Sequence, residues 1–236
     1  MTARRMSALA PPPSEPAADR APDSLAAGTA QPLRGELEAL LGADRVLSRP
    51  GDLIRYASDA SPYRLFPQAV VMARDAEDVG KVLAYGREKG IPVTFRAGGT
   101  SLNGQGQSDG ILVDVRRHFV GIAVEDDGAR ARVKPGTILG HANRVLAPHG
   151  RKLGPDPAST DVATVGGVVV ANNSGGMRCG VTKDSYSTVR EMTFVLPSGT
   201  TIDSAAPAPP RSSPRPSPSW PPGLPRSATR SAPTRS

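Results

Sequence analysis

Cysteine and histidine are scarce in this sequence of 236 residues, which contains one cysteine, Cys179, and three histidines. A single cysteine excludes an internal disulfide and any metal site built from paired cysteines. Aromatic residues make up only 4% of the chain, and no aromatic ladder accompanies the basic residues. We therefore expect no metal site and no nucleic-acid partner.

Long hydrophobic runs are also missing. No stretch of 18 apolar residues occurs, so the sequence predicts no integral membrane segment. The first residues, "MTARRMSALAPPP", lack the apolar centre of a secretory signal. We expect a cytoplasmic protein, and we leave open whether it attaches peripherally to a membrane.

Acidic residues are absent from the C-terminal tail. Residues 205–236 contain five arginines and no acid, so five of the seven net positive charges fall there. Residues 1–32 are rich in Ala and Pro and show no periodicity. We predict that 1–32 and 205–236 are disordered and that 33–204 is the folded domain. The high pI is weak evidence for nucleic-acid binding, because its basic residues do not lie on a folded face.

The tail admits two interpretations. One is a genuine disordered linker of Pro, Ser and Arg. The other is a change of reading frame, because GC-rich codons for residues 219–236 read one base upstream can encode an amphipathic helix with good helix formers. We favour the frameshift, which predicts a truncated product.

The first half of the folded region has the pattern of a βαβ unit. "AVVMA" (69–73) predicts a buried strand, Asp75 a helix N-cap and Gly90 the helix end. "PVTF" (92–95) predicts the next strand, and a crossover of this length implies a parallel pair. The other expected elements are a short helix at 33–41, an irregular segment at 52–68 and a third strand at 111–115.

The second half changes pattern. Alternating runs about Asp127 and Gly128 predict a hairpin, "TILGHANRVLAPHG" predicts a helix ending at Gly150, and a second hairpin is expected about Ser198 and Gly199. The fold class predicted is α+β, with two lobes. A small βαβ lobe covers 33–117, and a mainly antiparallel lobe with helices covers 118–204.

Two glycine-rich segments suggest a cofactor. "TFRAGGTSLNGQGQSDGILVD" (94–114) offers many free N–H groups and hydroxyls directly after Arg96, which suits a nest for a phosphate or pyrophosphate. An ordinary flexible loop is the alternative. The second segment, 154–176, lies in the other predicted lobe, so the pair indicates an extended ligand between the lobes.

These residues resemble the FAD-binding domain of the vanillyl-alcohol oxidase and p-cresol methylhydroxylase type (the PCMH type). The resemblance is strongest to flavin dehydrogenases acting on D-2-hydroxy acids such as D-lactate, glycolate and D-2-hydroxyglutarate. Its motifs are "FRAGGTSLNGQ" (95–105), "DGILVD" (109–114), "VKPGT" (133–137), "GPDPAST" (154–160), "VGGVVVANNSGG" (165–176) and "FVLPSGT" (194–200).

The resemblance implies FAD as the cofactor, with the first loop around its pyrophosphate and Arg96 helping to neutralise the charge. Some relatives carry a histidine directly after the Gly-Gly pair that bonds covalently to the flavin, and Thr100 cannot do so. Non-covalent FAD is therefore expected. The residues expected to contact FAD are Arg96, Ala97, Gly98, Gly99, Thr100, Ser101, Leu102, Gly104, Pro155, Asp156, Ala158, Ser159, Thr164, Gly166, Gly167, Asn172, Ser174, Gly175 and Ile202.

For function, the resemblance implies an FAD-dependent oxidoreductase that passes hydride from C2 of a 2-hydroxy acid to the flavin. A following domain binds the substrate in such enzymes, so the missing domain predicts weak or no activity here and leaves the catalytic residues unknown. The electron acceptor stays open between a quinone, a cytochrome and an iron–sulfur half. Alternatives are a flavin-dependent reductase of the same fold, a non-catalytic flavin-binding fragment and a basic-tailed interaction protein; "GPDPAST" favours the dehydrogenase.

Overall fold

A computed structural model of the chain describes residues 23–171 and 184–207. Of the residues discussed above, Asn172, Ser174, Gly175 and Cys179 lie outside these ranges. Up to Asp114 the elements are α1 (Leu33–Leu41), β1 (Val46–Leu47), α2 (Pro50–Tyr56), β2 (Ala69–Met72), α3 (Ala76–Lys89), β3 (Val93–Arg96) and β4 (Ile111–Asp114). The helix predicted at 33–41 and the three predicted strands are confirmed, but α2 is a helix where the sequence predicted irregular structure.

The four strands form one sheet in the order β1-β2-β4-β3. β2, β4 and β3 are mutually parallel, and the short β1 pairs antiparallel with β2. The predicted parallel direction of 69–73 and 92–95 is confirmed, but the two strands do not pair with each other, because β4 lies between them. Both therefore end at the same edge of the sheet, where β4 also ends.

Burial on both faces explains the composition of β2 and β4. Val71, Ile111 and Val113 pack with residues of α1 and α3 on one face. Val70 and Leu112 pack with Leu53 and Tyr56 of α2 on the other. All of β2 and β4 is buried, as expected for parallel strands covered on both sides.

Helix α3 begins and ends where the sequence predicted. The Asp75 carboxylate accepts a hydrogen bond from the backbone N–H of Asp78, at 2.9 Å, which satisfies a donor in the first turn. Gly90 follows the last turn in the left-handed region, with φ of 67°. Val79 and Val82 are buried against the sheet.

The second half contains β5 (Ile122–Glu125), β6 (Arg130–Val133), α4 (Leu139–Leu146), α5 (Val165–Val170), α6 (Ser185–Thr188), β7 (Thr193–Val195) and β8 (Thr201–Asp203). Both predicted hairpins are confirmed, as β5-β6 and β7-β8. Within the described ranges they form two separate two-stranded sheets. The helix expected to end at Gly150 stops at Leu146 and continues as one 3-10 turn. The α+β class is confirmed, and the lobe boundary at 117/118 stays a prediction.

The second hairpin packs on the first half of the domain. Val195 of β7 contacts the core that β2, β4 and α3 share. Gly80 of α3 approaches Gly199 so closely that a Cβ on Gly80 would lie 3.0 Å from the Gly199 carbonyl oxygen. Across 23–171 and 184–207, no helix combines the length and hydropathy needed to cross a bilayer.

Candidate functional site

The glycine loop follows β3 directly, at the edge where the parallel strands end. Ala97, Gly98, Gly99, Thr100, Ser101 and Gly104 are half-buried, and Leu102 projects into solvent. Gly99 and Gly104 have φ of 67° and 74°, a conformation that favours glycine. Ligands of open parallel sheets bind outside this edge, so the loop stands where a ligand is expected.

Gly98 joins the two segments that the sequence assigned to the cofactor. A Cβ on Gly98 would lie 2.4 Å from the backbone oxygen of Val162, so only glycine permits this approach. Val162 lies within the second segment, between Ser159 and Thr164. The fold thus brings the loop after Arg96 against the 155–164 region.

Arg96 lies beneath the loop. Arg96 is only 9% exposed. Its guanidinium donates hydrogen bonds to the carbonyl oxygens of Gly106, at 3.0 Å, and Ser58, at 2.6 Å. Gly99 sits over the guanidinium, where a Cβ would fall 2.5 Å from Nη2. Burial lowers the pKa of Arg96, and Asp59 opposes that shift.

The described residues offer Arg96 no carboxylate oxygen within 4.0 Å, whereas the other buried arginine, Arg45, pairs with the buried Asp78. A buried charge without an ion pair is costly unless other groups compensate it. Arg96 therefore holds the loop and places a buried cation beneath it, with Asp59 as a nearby opposing charge.

A second part of the site comes from 58–63, which the sequence analysis treated as irregular and left without a role. The N–H of Ala60 donates to the Gly99 carbonyl oxygen at 2.9 Å. Gln107 Nε2 donates to Asp59 Oδ1 at 2.7 Å and to the Tyr63 carbonyl oxygen at 2.8 Å. This segment braces both ends of the glycine loop. Its signal in the sequence is the small polar run "SDAS" (58–61).

Asp59 is ionised within this brace. Burial alone would raise the pKa of its carboxyl, but hydrogen bonds from Ser61 and Gln107 outweigh burial, and the pKa is lowered. Asp59 Oδ2 and Gln107 Oε1 are buried and accept no hydrogen bond from the described residues. The brace therefore retains spare acceptors next to the loop.

The second segment is held by the start of α4. Gly140 donates its N–H to the Thr160 carbonyl oxygen and Leu139 to that of Ala163, each at 2.9 Å. Both Val162 and Ala163 donate their N–H groups to the Ser159 carbonyl oxygen, at 2.8 and 2.7 Å. These bonds fix a compact turn, whose edge at Val162 meets Gly98.

Thr164 stands at the N-cap of α5 but does not cap it. Thr164 is 2% exposed, and its Oγ1 has no hydrogen-bond partner in the described part of the chain. A buried hydroxyl without a partner is unfavourable. Its position one residue after the 155–163 turn makes it a candidate to bind a ligand that the chain holds.

The remaining predicted residues have mixed surroundings. Pro155 is buried, Ala158 is exposed, and Asp156 accepts a hydrogen bond from Lys152 at 3.1 Å. A Cβ added to Gly166 would lie 2.6 Å from the Cβ of Pro135, whereas one added to Gly167 would meet only Thr164 Oγ1, at 3.8 Å. Ile202 is half-buried on β8, opposite Phe194. Their cofactor roles stay predictions, as do those of Asn172, Ser174 and Gly175.

Within 23–171 and 184–207, no three His, Cys, Asp or Glu side chains are grouped so that they could hold an ion. The backbone N–H groups of the glycine loop and the Arg96 guanidinium are groups that can bind an anion. Buried hydroxyl and carboxylate oxygens stand nearby.

Sequence relatives of this chain include enzymes that act on 2-hydroxy acids. The D-2-hydroxyglutarate dehydrogenase of Pseudomonas putida is 37% identical over 154 residues, which cover 63% of this chain and 15% of that enzyme. The glycolate oxidase subunit GlcD of Bacillus subtilis is 32% identical, over 58% of this chain and 30% of that subunit. The D-lactate dehydrogenase of Archaeoglobus fulgidus is 31% identical, over 62% and 33%. The chain thus spans a third or less of each of these relatives.

Solved structures share the fold at lower identity. p-Cresol methylhydroxylase superposes with a TM-score of 0.59 and 22% identity, over 72% of this chain and 34% of that one. Alkyldihydroxyacetonephosphate synthase gives a TM-score of 0.64 and 19% identity, over 75% and 37%. These likenesses show the fold alone, and they agree with the PCMH type that the motifs predicted.

The sequence model of one family, described as an FAD binding domain, matches residues 67–205, which is more than half of the chain. That range contains the glycine loop and the 155–164 segment that the fold brings together. The predicted resemblance is confirmed, and this chain belongs to the FAD binding domain family.

Proposed function

We propose that this chain is the FAD-binding part of an oxidoreductase acting on D-2-hydroxy acids, and that it holds FAD without a covalent bond. The observation that carries the proposal is the contact of Gly98 with Val162, which joins the two candidate cofactor segments. An elongated dinucleotide needs such a paired surface, because its diphosphate and its flavin lie far apart.

The diphosphate is assigned to the glycine loop. Backbone N–H groups of Gly98 to Ser101 supply donors, and the absence of Cβ atoms at Gly98 and Gly99 allows a close approach. The buried Arg96 supplies positive charge beneath these donors. An anion above the loop would be attracted by this cation, which makes no ion pair within 4.0 Å among the described residues.

The ribityl and flavin side is assigned to the second segment. The buried Thr164 hydroxyl has no partner in the described chain and can bond a hydroxyl or carbonyl oxygen of the cofactor. Its hydrogen would then be donated instead of being buried unused. This fit supports FAD independently of the loop, because it comes from a different part of the chain.

The substrate class comes from the relatives. Those at 31–37% identity are a D-2-hydroxyglutarate dehydrogenase, a glycolate oxidase subunit and a D-lactate dehydrogenase. FAD, when bound, supplies the hydride acceptor for oxidation of such a hydroxyl group. The chain's own residues then hold and orient the cofactor. We leave the electron acceptor open between a quinone, a cytochrome and an iron–sulfur protein.

A double variant tests the proposal. Arg96→Ala with Gly99→Val removes the buried cation and puts a side chain against the loop, so FAD should no longer be retained. The matched control is Arg34→Ala with Gly51→Val, since Arg34 is on the surface of α1 and a Cβ on Gly51 meets nothing within 4 Å.

The measurement is the flavin absorbance that remains with each purified protein after dialysis. Wild type and the control pair should stay yellow, and the Arg96/Gly99 pair should be colourless while keeping a folded circular-dichroism spectrum. A flavin-loaded Arg96/Gly99 protein would overturn the assignment of the loop.

A further inference from the structure

The glycine loop contains a chemically reactive dipeptide, Asn103-Gly104. The backbone nitrogen of a residue that follows asparagine can attack the side-chain carboxamide carbon. Glycine favours this attack, because no Cβ hinders the approach and the backbone rotates readily. The chain has four asparagines, and only Asn103 precedes a glycine.

The structure leaves both reacting groups accessible. Asn103 is exposed and lies in irregular backbone. Among the described residues, neither its carboxamide nor the Gly104 N–H makes a hydrogen bond, so none has to break before the two groups meet. The fold also requires glycine at 104, where φ is 74° and a Cβ would lie 3.0 Å from Tyr63 Cδ2. The reactive partner of Asn103 is therefore built into the loop.

Asn143 shows how the fold blocks the same reaction elsewhere. It lies in α4, and its Oδ1 accepts a hydrogen bond from the Leu153 N–H at 2.9 Å. The next residue is Arg144, whose Cβ hinders its backbone nitrogen, and the helix holds that nitrogen in a fixed direction. Asn143 should therefore stay intact where Asn103 reacts.

We propose that Asn103 is a site of spontaneous deamidation and that FAD on the glycine loop controls its rate; the second part rests on the proposed function. The Gly104 backbone nitrogen loses its proton and bonds to Asn103 Cγ. The bond from Cγ to the carboxamide nitrogen breaks, ammonia leaves with that proton, and a five-membered imide remains. Water then opens the imide at either carbonyl, which leaves an aspartate or an isoaspartate at position 103. Neither step needs an oxidant or a reductant.

The reaction changes the charge of the loop. A neutral carboxamide becomes a carboxylate close to the N–H groups of residues 98–101, to which the diphosphate of FAD is assigned. Two groups of like charge repel each other, so the modified loop binds FAD less tightly.

The isoaspartate product also lengthens the loop backbone. The Gly99 carbonyl accepts a hydrogen bond from the Ala60 N–H at 2.9 Å, and the Gly104 carbonyl accepts one from the Gln107 N–H at 3.1 Å. An additional backbone atom between these two fixed points disturbs the loop. Conversely, FAD that orders the loop slows ring closure, because closure requires local rotation of the backbone. The FAD-free chain therefore loses its cofactor site with time, and the loaded chain keeps it.

Incubation of the purified chain in mildly alkaline buffer tests the site. Mass spectrometry of proteolytic peptides measures conversion at positions 103 and 143, and a synthetic peptide of residues 100–107 gives the time scale of the unfolded sequence. Position 103 of the FAD-free chain should convert on the time scale of the peptide, and position 143 should not. FAD at ten times its Kd should slow conversion by about tenfold, as mass action predicts when only the free state reacts.

Two variants test the consequence for the cofactor. Asn103→Gln keeps a neutral amide, but its longer side chain closes the ring far more slowly, so it should stay intact. Asn103→Asp should bind FAD about tenfold more weakly than Asn103→Gln, because only the charge at the end of the side chain distinguishes a carboxylate from an amide here.

Each part of the inference has its own contrary result. An intact Asn103 in the FAD-free chain, after the peptide has fully converted, would overturn the site. Equal conversion with and without FAD, in a chain whose flavin absorbance shows saturation, would overturn control by FAD, and equal FAD affinity of the two variants would overturn the effect of the charge. Conversion of Asn103 in a chain that never takes up FAD would overturn the proposed function and leave the deamidation site standing.

Discussion

At the scale of single residues, the site is marked by a buried hydroxyl without a hydrogen-bond partner and a buried cation without an ion pair among the described residues. Thr164 Oγ1 has no hydrogen-bond partner in the described chain, and the Arg96 guanidinium has no carboxylate there within 4.0 Å. Such groups reduce the stability of the chain alone and gain partners when a ligand binds. Their chemistry, one donor hydroxyl and one cation, suits a phosphorylated polyhydroxy cofactor.

The variant Thr164→Val separates the effect of this hydroxyl on stability from its effect on FAD affinity. Valine keeps the shape of threonine and removes a hydroxyl that has no partner, so the stability of the FAD-free chain should stay equal or rise, by up to about 1 kcal/mol. FAD affinity should fall by about tenfold, because a hydrogen bond to the cofactor is lost. Chemical denaturation measures the first quantity and a flavin fluorescence titration measures the second.

Thr29→Val is the matched control for this variant. Thr29 Oγ1 is also buried without a partner, but its backbone N–H bonds Ser48, outside the glycine loop and the second segment. It should show the same change in stability and no change in FAD affinity. Equal FAD affinity for Thr164→Val and wild type would remove Thr164 from the site.

We expect that Thr100 leaves the cofactor without a covalent bond to the chain. A threonine cannot form the bond that a histidine makes with flavin in some relatives, so the flavin should be released intact when the protein is precipitated with acid. The measurement is the absorbance of the supernatant and of the washed pellet. Yellow colour that stays with the pellet and with peptides derived from it would contradict non-covalent binding.

At the scale of elements, the parallel strands carry the site because β3 and β4 end side by side. Asp114, the last residue of β4, is buried beneath Arg116 and Tyr56. Burial would raise the pKa of its carboxyl, but the hydrogen bonds from Arg116 and Tyr56 outweigh burial and lower it. Asp114 thus stabilises the fold in its charged form.

The stability that Asp114 contributes should depend on pH. Because its folded pKa is lowered, the contribution is present above about pH 4, the ordinary value of an aspartate, and is lost as pH falls through the folded pKa. Asp114→Asn should reduce the free energy of unfolding at neutral pH by on the order of 2 kcal/mol, and the gap from wild type should narrow in acid. Urea denaturation across the acid range measures both.

The exposed Asp44→Asn serves as the control, and its stability should follow that of wild type throughout. A gap between wild type and Asp114→Asn that stays constant down to low pH would contradict the role given to the charged carboxylate.

Local patterns in the sequence predicted elements that have local causes. α3 was predicted from the Asp75 cap and the Gly90 stop, and β2 from an apolar run. α2 was missed because Pro50 and Gly51 open it and its buried Leu53 and Tyr56 sit in a short, mixed segment. The pairing of β3 with β4 was missed because strand order depends on long-range packing, which periodicity does not encode.

The candidate site also contains parts that local motifs predicted and parts that depend on long-range contacts. The glycine loop and the 155–164 turn were predicted from motifs. The brace of Asp59 and Gln107 was missed, because 48 residues separate the partners of that hydrogen bond. The hydrogen bond from Tyr56 to Asp114 was missed for the same reason, because 58 residues separate the two.

At the scale of the whole molecule, the chain covers 15% of the Pseudomonas putida D-2-hydroxyglutarate dehydrogenase and 30% of the GlcD subunit of Bacillus subtilis. We therefore propose that this chain binds the cofactor and that other parts of such enzymes bind the substrate. Hydride transfer depends on dry, preorganised surroundings of the flavin. We expect the substrate-binding parts of such enzymes to supply them.

We expect the FAD-loaded 236-residue chain to show almost no turnover of D-2-hydroxyglutarate, D-lactate or glycolate with an artificial dye as acceptor. The full-length Pseudomonas putida relative, assayed in parallel, controls for the dye and the substrates. Turnover by the short chain comparable to that of the relative would refute this division of roles.

The central claim is that FAD lies between the glycine loop and the 155–164 segment. Amide chemical shifts of the ¹⁵N-labelled chain, recorded before and after addition of FAD, test it most directly. We expect the β5-β6 hairpin to be unaffected and the largest shifts to occur at Gly98, Gly99, Thr100, Ser101 and Thr164. Shifts confined to residues outside the two segments, or no shifts at saturating FAD, would contradict it.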